Sequence, residues 1–152
     1  MTANDSTGPA QGETQAPGTR WRAILRHQEA QAFAVAFHAD VVLETALFDG
    51  HTEGPAALQI FFNATRGLYE EIHFVRETAS AESTVLEWEG AAFGGRVVTG
   101  VTILDHDTNG TITRVRLFHR PYAMVLDCAE TLARSLAGQL GPGVRWLSGS
   151  RS

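Results

Sequence analysis

The side chains able to move a proton, bind a metal or act as a nucleophile are few and scattered: six histidines, one cysteine and a set of carboxylates. His27, His38, His51, His73 and His106 stand at no metal-ligand spacing, so no metal site is expected. His51 lies between Asp49 and Glu53 in a stretch that reads as a solvated loop. Cys128 has no basic neighbour to lower its thiol pKa and reads as a structural thiol. In "LEWEG" the carboxylates of Glu87 and Glu89 alternate with Leu86 and Trp88. If Trp88 points inward, both acids point out and cannot serve as a catalytic pair. "FGGR" precedes no helix, so Gly94 and Gly95 mark a hairpin turn and not a phosphate loop. His119 is left.

His119 belongs to "TGVTILDHDTNGTITRVRLFHRP", Thr99 to Pro121, which reads as two strands about an Asn109-Gly110 turn. A two-residue type I′ turn suits that pair, because both residues tolerate positive φ. Thr108 then faces Thr111, and directly opposite residues share a face of the sheet. One face carries Leu104 with Val115, Thr102 with Leu117, and Gly100 with His119. It holds no formal charge, and the glycine leaves space over the imidazole, so this face is assigned to a cavity. The other carries Asp105 with Arg114, Ile103 with Arg116, Val101 with Phe118, and Thr99 with Arg120. Together with Val97, that face mixes arginines with more apolar area than a solvated face requires, and a homodimer interface with a polar rim is expected there.

The elements that must position this hairpin follow from periodicity. From Arg20 to Phe37 the apolar residues recur at helical spacing, with a bend near His27-Gln28. "DVVLETALFDG" reads as one strand. "EGPAALQIFFNATRGLY" places Pro55 in a first turn and Leu58, Phe61, Phe62, Thr65 and Tyr69 along one face, which predicts a second helix. "EIHFVRETAS", "STVLEWEGAAF" and the two hairpin arms are strands, and "MVLDCAETLARSLAGQL" closes the body as an amphipathic helix. The order predicts an α+β fold, with helices on one face of a curved, mostly antiparallel sheet. Residues 1–18 are expected to be disordered, 19–140 to form the domain, and 141–152 to be a flexible tail in which Val144, Trp146 and Leu147 could dock on the body.

Composition excludes several classes. With 152 residues and 43% hydrophobic content the chain suffices for one domain with a real core. A net charge of −5 and the lack of a basic run argue against nucleic acid. No apolar run approaches the roughly 20 residues that cross a bilayer. The first residues lack the basic flank and apolar core of a signal peptide, so a soluble cytoplasmic protein is expected.

"FHADVVLETALFDGHTEGPAALQIFF", "VLEWEGAAFGGRVVTGVTILDHDTNGTI" and "HRPYAMVLDCAETLA" resemble the SnoaL-like branch of the NTF2-like superfamily, relatives of ketosteroid isomerase. The resemblance spans about residues 20–137. It implies a cystatin-like cone whose sheet wraps a deep apolar pocket, commonly in a dimer, with activities that include isomerase, dehydratase and polyketide cyclase. Ketosteroid isomerase-like sites use an aspartate base where this chain has Thr45, and a second, protonated aspartate where it has Thr102. Their tyrosines match Phe62 and Trp21, and the acid of the polyketide aldol cyclases aligns near Leu117. Every acid–base group of those sites is replaced, and a threonine has no pKa suited to abstracting a carbon-bound proton.

What the resemblance then implies is a mainly apolar cavity lined by Trp21, Leu43, Leu47, Phe61 or Phe62, Leu86, Trp88, Leu104, Val115 and Leu117. Thr45, Thr102 and His119 supply its polar groups. The expected function is a cofactor-independent cyclase of bacterial specialised metabolism, closing rings on a polyketide-like, largely apolar substrate. It would do so by shape and carbonyl polarisation, as in a cycloaddition, or by aldol or Michael closure with His119 as base. The alternatives are a non-catalytic binding protein for a hydrophobic small molecule and an isomerase or dehydratase of the same superfamily.

Overall fold

The computed structural model describes residues 21–22 and 34–149. The expected N-terminal disorder and the bend at His27-Gln28 lie outside the described residues. Seven strands form one sheet in the order β3-β4-β5-β6-β1-β2-β7. They are β1 (Phe37–Thr45), β2 (Phe48–Glu53), β3 (Tyr69–Ala79), β4 (Ser83–Ala92), β5 (Arg96–His106), β6 (Ile112–Arg120) and β7 (Val144–Trp146). β1 runs parallel to β6 and every other pairing is antiparallel. Helices α1 (Pro55–Arg66) and α2 (Tyr122–Ser135) pack on the concave side of this curved sheet, which makes the α+β cone.

Local chemistry accounts for most of these elements. Pro55 opens α1 after Gly54, whose φ of 94° suits a glycine, and Leu58, Phe61, Phe62 and Thr65 form its buried face. In α2 the buried residues Met124, Val125, Cys128, Ala129 and Leu132 repeat at three- and four-residue intervals. The β4–β5 turn is held from outside, with the Glu70 carboxylate accepting from the backbone N–H of Gly94 and of Gly95 at 2.9 and 3.0 Å.

Phe37, expected to end the first helix, opens β1, and Tyr69, expected on the face of the second helix, opens β3; the structure departs from the sequence-based expectation in three further places. The predicted single strand 40–50 is two strands, because the chain reverses at Ala46-Leu47, where the Thr45 hydroxyl accepts from Leu47 N–H at 3.2 Å. Leu47 is fully buried, so this turn carries none of the Gly, Pro or Asn that mark an exposed one. The tail, expected to be flexible, supplies β7 at the sheet edge. Trp146 packs edge-on against Phe48 with ring centroids 5.1 Å apart, and Leu147 N–H donates to Leu47 C=O. The third departure is the hairpin turn. Asp107, not Asn109-Gly110, organises it, accepting on its carboxylate from Asn109 and Thr111 N–H, and only Gly110 has positive φ. His106 therefore pairs with Ile112, one residue off the predicted register. A bulge at Thr113 then restores it, so Asp105–Arg114 through Thr99–Arg120 pair as the type I′ reading requires.

Charges sit mainly outside the cone, with ion pairs Arg114–Glu44 at 3.0 Å, Arg116–Asp105 at 3.0 Å and Arg96–Asp127 at 2.6 Å. Val75, Val97 and Phe118 are exposed on the strands. Among the described residues no helix is long and apolar enough to cross a membrane.

Candidate active site

The inner face of the hairpin is sorted by depth. Leu104 and Val115, near the turn, are fully buried, as are Leu43 on β1, Leu47 in the β1–β2 turn and Leu86 on β4. They belong to the main hydrophobic core. Further along the same face a cavity of about 200 Å³ opens, with Thr102, Leu117, His119 and Trp88 on its sheet wall. Trp21, Phe61, Phe62 and Thr65 close it from the helical side, and Tyr69, Ile72 and Phe74 from β3. Arg66 and Glu71 also line it and are themselves exposed, so they mark its rim.

Of the residues expected at the site, the structure brings together His119, Thr102, Trp21, Phe62, Trp88 and Leu117. Leu43, Leu47, Leu86, Leu104 and Val115 pack into the hydrophobic core and do not line the cavity, Leu86 even though it pairs directly with Thr102. Nor does Thr45, whose hydroxyl is spent on the β1–β2 turn. The sequence reading left out the end of α1 and the start of β3, namely Thr65, Arg66, Tyr69, Glu71, Ile72 and Phe74. Phe61 and Thr65 stand at i and i+4 on α1, so a signal for part of that wall was present, whereas Tyr69, expected on the same helix face, reaches the cavity from β3.

The walls are aromatic and interlocked. Trp21 meets Phe62 edge-on at 4.8 Å, Phe61 meets Phe62 at 5.0 Å, and Trp88 meets both Tyr69 at 5.7 Å and His119 at 5.4 Å. Gly100 makes the last arrangement possible, although not in the manner expected. The space left by its missing side chain is taken by the indole of Trp88, onto which any Cβ would fall. His119, across the strand from Gly100, then packs against the edge of that indole.

Polar groups are sparse and each is constrained. Trp88 Nε1–H donates to Thr102 Oγ1 at 3.1 Å, which orients the hydroxyl and leaves its own proton to be given to something else. Tyr69 is hydrogen-bonded to Cys128. Burial raises the phenol above its ordinary value and pushes the thiol up to about 11, so both stay protonated at neutral pH. Burial lowers the His119 imidazolium from 6.5 to about 4, so the ring is neutral. Its Nδ1 is buried with no hydrogen-bond partner, and the same holds for Nε1 of Trp21, a residue only 1% exposed. Each such orphan costs about 1–3 kcal/mol. Among the described residues no group of three or more His, Cys, Asp or Glu could hold a metal ion.

No family model and no curated protein matches this sequence. Solved structures do. A bacterial protein with a cystatin-like fold from Silicibacter pomeroyi superposes with a TM-score of 0.73 at 14% identity, over 80% of this chain and 85% of its own. A steroid delta-isomerase from Pseudomonas aeruginosa gives 0.71 at 22% identity, over 82% and 91%. A Sinorhizobium meliloti protein provisionally named a polyketide cyclase gives 0.55 at 16% identity, over 66% and 92%. The fold is NTF2-like. In this NTF2-like cone the cavity opens among Thr102, Leu117 and His119 on β5 and β6, and among the described residues its enclosed part holds no ionised acid or base.

Proposed function

We propose that the cone binds a compact, mainly apolar carbonyl compound and closes a ring on it without a cofactor. The observation that carries this reading is the aromatic, mainly apolar cavity that has the neutral His119 imidazole and the Thr102 hydroxyl among its few polar lining groups. An apolar pocket with a few convergent polar groups suits a ligand held in one shape. The imidazole and the Thr102 hydroxyl are the groups available to fix its oxygen atoms.

Size and protonation narrow the reaction. A cavity of about 150 Å³ holds one benzene ring. About 200 Å³ therefore encloses one substituted ring or a short folded chain, and a longer polyketide-like substrate would extend through the rim. A base whose conjugate acid has a pKa of about 4 is poorly matched to removing a proton from carbon. Closure by shape and hydrogen-bond polarisation is therefore favoured over aldol or Michael closure with His119 as base. The cavity holds the chain with its reacting atoms close. The Thr102 O–H, polarised by the hydrogen bond it accepts from Trp88, donates to the carbonyl oxygen as charge develops there.

The test is turnover of short linear polycarbonyl compounds, followed by chromatography and mass. Wild-type protein should convert at least one of them, and His119→Ala should slow it by roughly ten- to a hundredfold, the loss of one hydrogen bond to a developing charge. A loss above about a thousandfold, with activity falling at acid pH, would make His119 the base instead. Saturable binding with no turnover would favour a carrier or sequestering protein, a reading supported by the lack of an ionised base among the described residues that enclose the cavity.

A further inference from the structure

The rim of the cavity is chemically unlike its interior. Among the described lining residues one cation and one anion occur, Arg66 and Glu71, and both are exposed while Trp21, Phe61, Phe62, Trp88, Thr102 and Leu117 behind them are buried. Nine arginines are described, and six of them form ion pairs with Asp or Glu. Arg66 forms none, and it is the one arginine on the inner cavity among the described residues. It closes the last turn of α1, where the helix dipole favours a cation. That explains a positive charge there. It does not explain a guanidinium left without a carboxylate at the mouth of an apolar cavity in a chain of net charge −5, which elsewhere pairs most of its arginines. Glu71 does not satisfy it. The Glu71 carboxylate lies 3.4 Å from His73 Nε2 and makes no ion pair with Arg66.

We propose that Arg66 is an anion subsite, and that the ligand is an amphipathic carboxylate whose apolar body fills the cone and whose carboxylate sits in the guanidinium fork. This rests on the reading of the cavity as a small-molecule site and names the class of molecule it takes. The fork matches the two oxygens of a carboxylate. Glu71 on the same rim tolerates one added negative charge better than the two of a phosphate monoester. With His119 and Thr102 at the buried end, the ligand is held at both ends, and only one that carries an oxygen function in its body and a carboxylate at its tail engages both.

Three probes of one shape separate the terms: 2-naphthoate, its methyl ester and 2-naphthylmethylamine, titrated at pH 7.5 by quenching of tryptophan fluorescence. Wild-type protein should bind the acid about three- to tenfold more tightly than the ester, and the amine most weakly. Arg66→Gln should remove the preference for the acid and leave the ester unchanged, and Arg66→Lys should keep part of it. Glu71→Gln should tighten the acid about twofold without affecting the ester. Acid and ester binding equally in the wild type, or the amine binding best, would overturn the anion subsite while leaving the cavity reading intact. Equal loss of acid and ester in Arg66→Gln would show that the arginine only holds the rim in shape, and would also overturn it. No binding of any probe would overturn the cavity reading, and the subsite with it.

Discussion

Acid should weaken this protein through one identifiable group, and His119→Leu isolates it. The imidazole is held neutral in the folded state, with a pKa of about 4 against 6.5 when free, and desolvation is the cause. Trp88 and Gly100 flank the ring, and neither titrates. Because the folded pKa is depressed, the unfolded chain binds a proton that the folded one refuses between the two values. The contribution of His119 is therefore fully present above about pH 6.5, declines as pH falls, and is exhausted near pH 4. The span of 6.5 to about 4 corresponds to roughly 3 kcal/mol at about 1.4 kcal/mol per unit. Leucine fills a similar volume and has no proton to bind. Urea denaturation of both proteins from pH 7.5 to 4 gives the difference in unfolding free energy at each pH, in which every other titrating group cancels. The wild type should lose about 3 kcal/mol relative to His119→Leu across that range. Parallel curves, agreeing within about 0.5 kcal/mol, would show that the imidazole titrates as though in water, and the cavity assignment of its ring would fail.

Three further outcomes follow from the geometry. Gly100→Ala should cost about 1–3 kcal/mol in chemical denaturation and shift the Trp88 emission, because the new methyl would collide with the indole and approach Phe118 C=O at 2.9 Å. Trp146→Ala should cost about 1–3 kcal/mol by uncovering Phe48, whereas a tail without tertiary contacts would leave the thermal midpoint unchanged. The outer sheet face is proposed to pair two copies of the chain through Phe118 and its neighbours. Light scattering at micromolar concentration should then give a dimer that Phe118→Asp converts to monomer, and a wild-type monomer would refute it.

The sheet faces were legible in the sequence because side-chain direction alternates with period two, and alternation between apolar and charged residues reports it locally. The hairpin shows how robust that signal is. The turn was assigned to Asn109-Gly110 although Asp107 organises it, yet the pairing of Thr102 with Leu117 and Gly100 with His119 holds, because the bulge at Thr113 returns the strands to the register that buries the uncharged face. Helix α1 was legible from Pro55 and the spacing of Leu58, Phe61 and Phe62. The β1–β2 turn was not, because a buried turn of Thr45, Ala46 and Leu47 needs none of the residues that mark an exposed one. β7 escaped because three residues have too short a period to read, and its partners on β2 lie 94–98 positions away in the chain. Above all, the sequence separates inward from outward but not packed core from cavity wall. Leu104 and Leu117 are equivalent in pattern, yet one packs solid core and the other faces open space. The difference is set by which side chains from the helices and the other strands meet each position across the core, and those come from segments far apart in the chain.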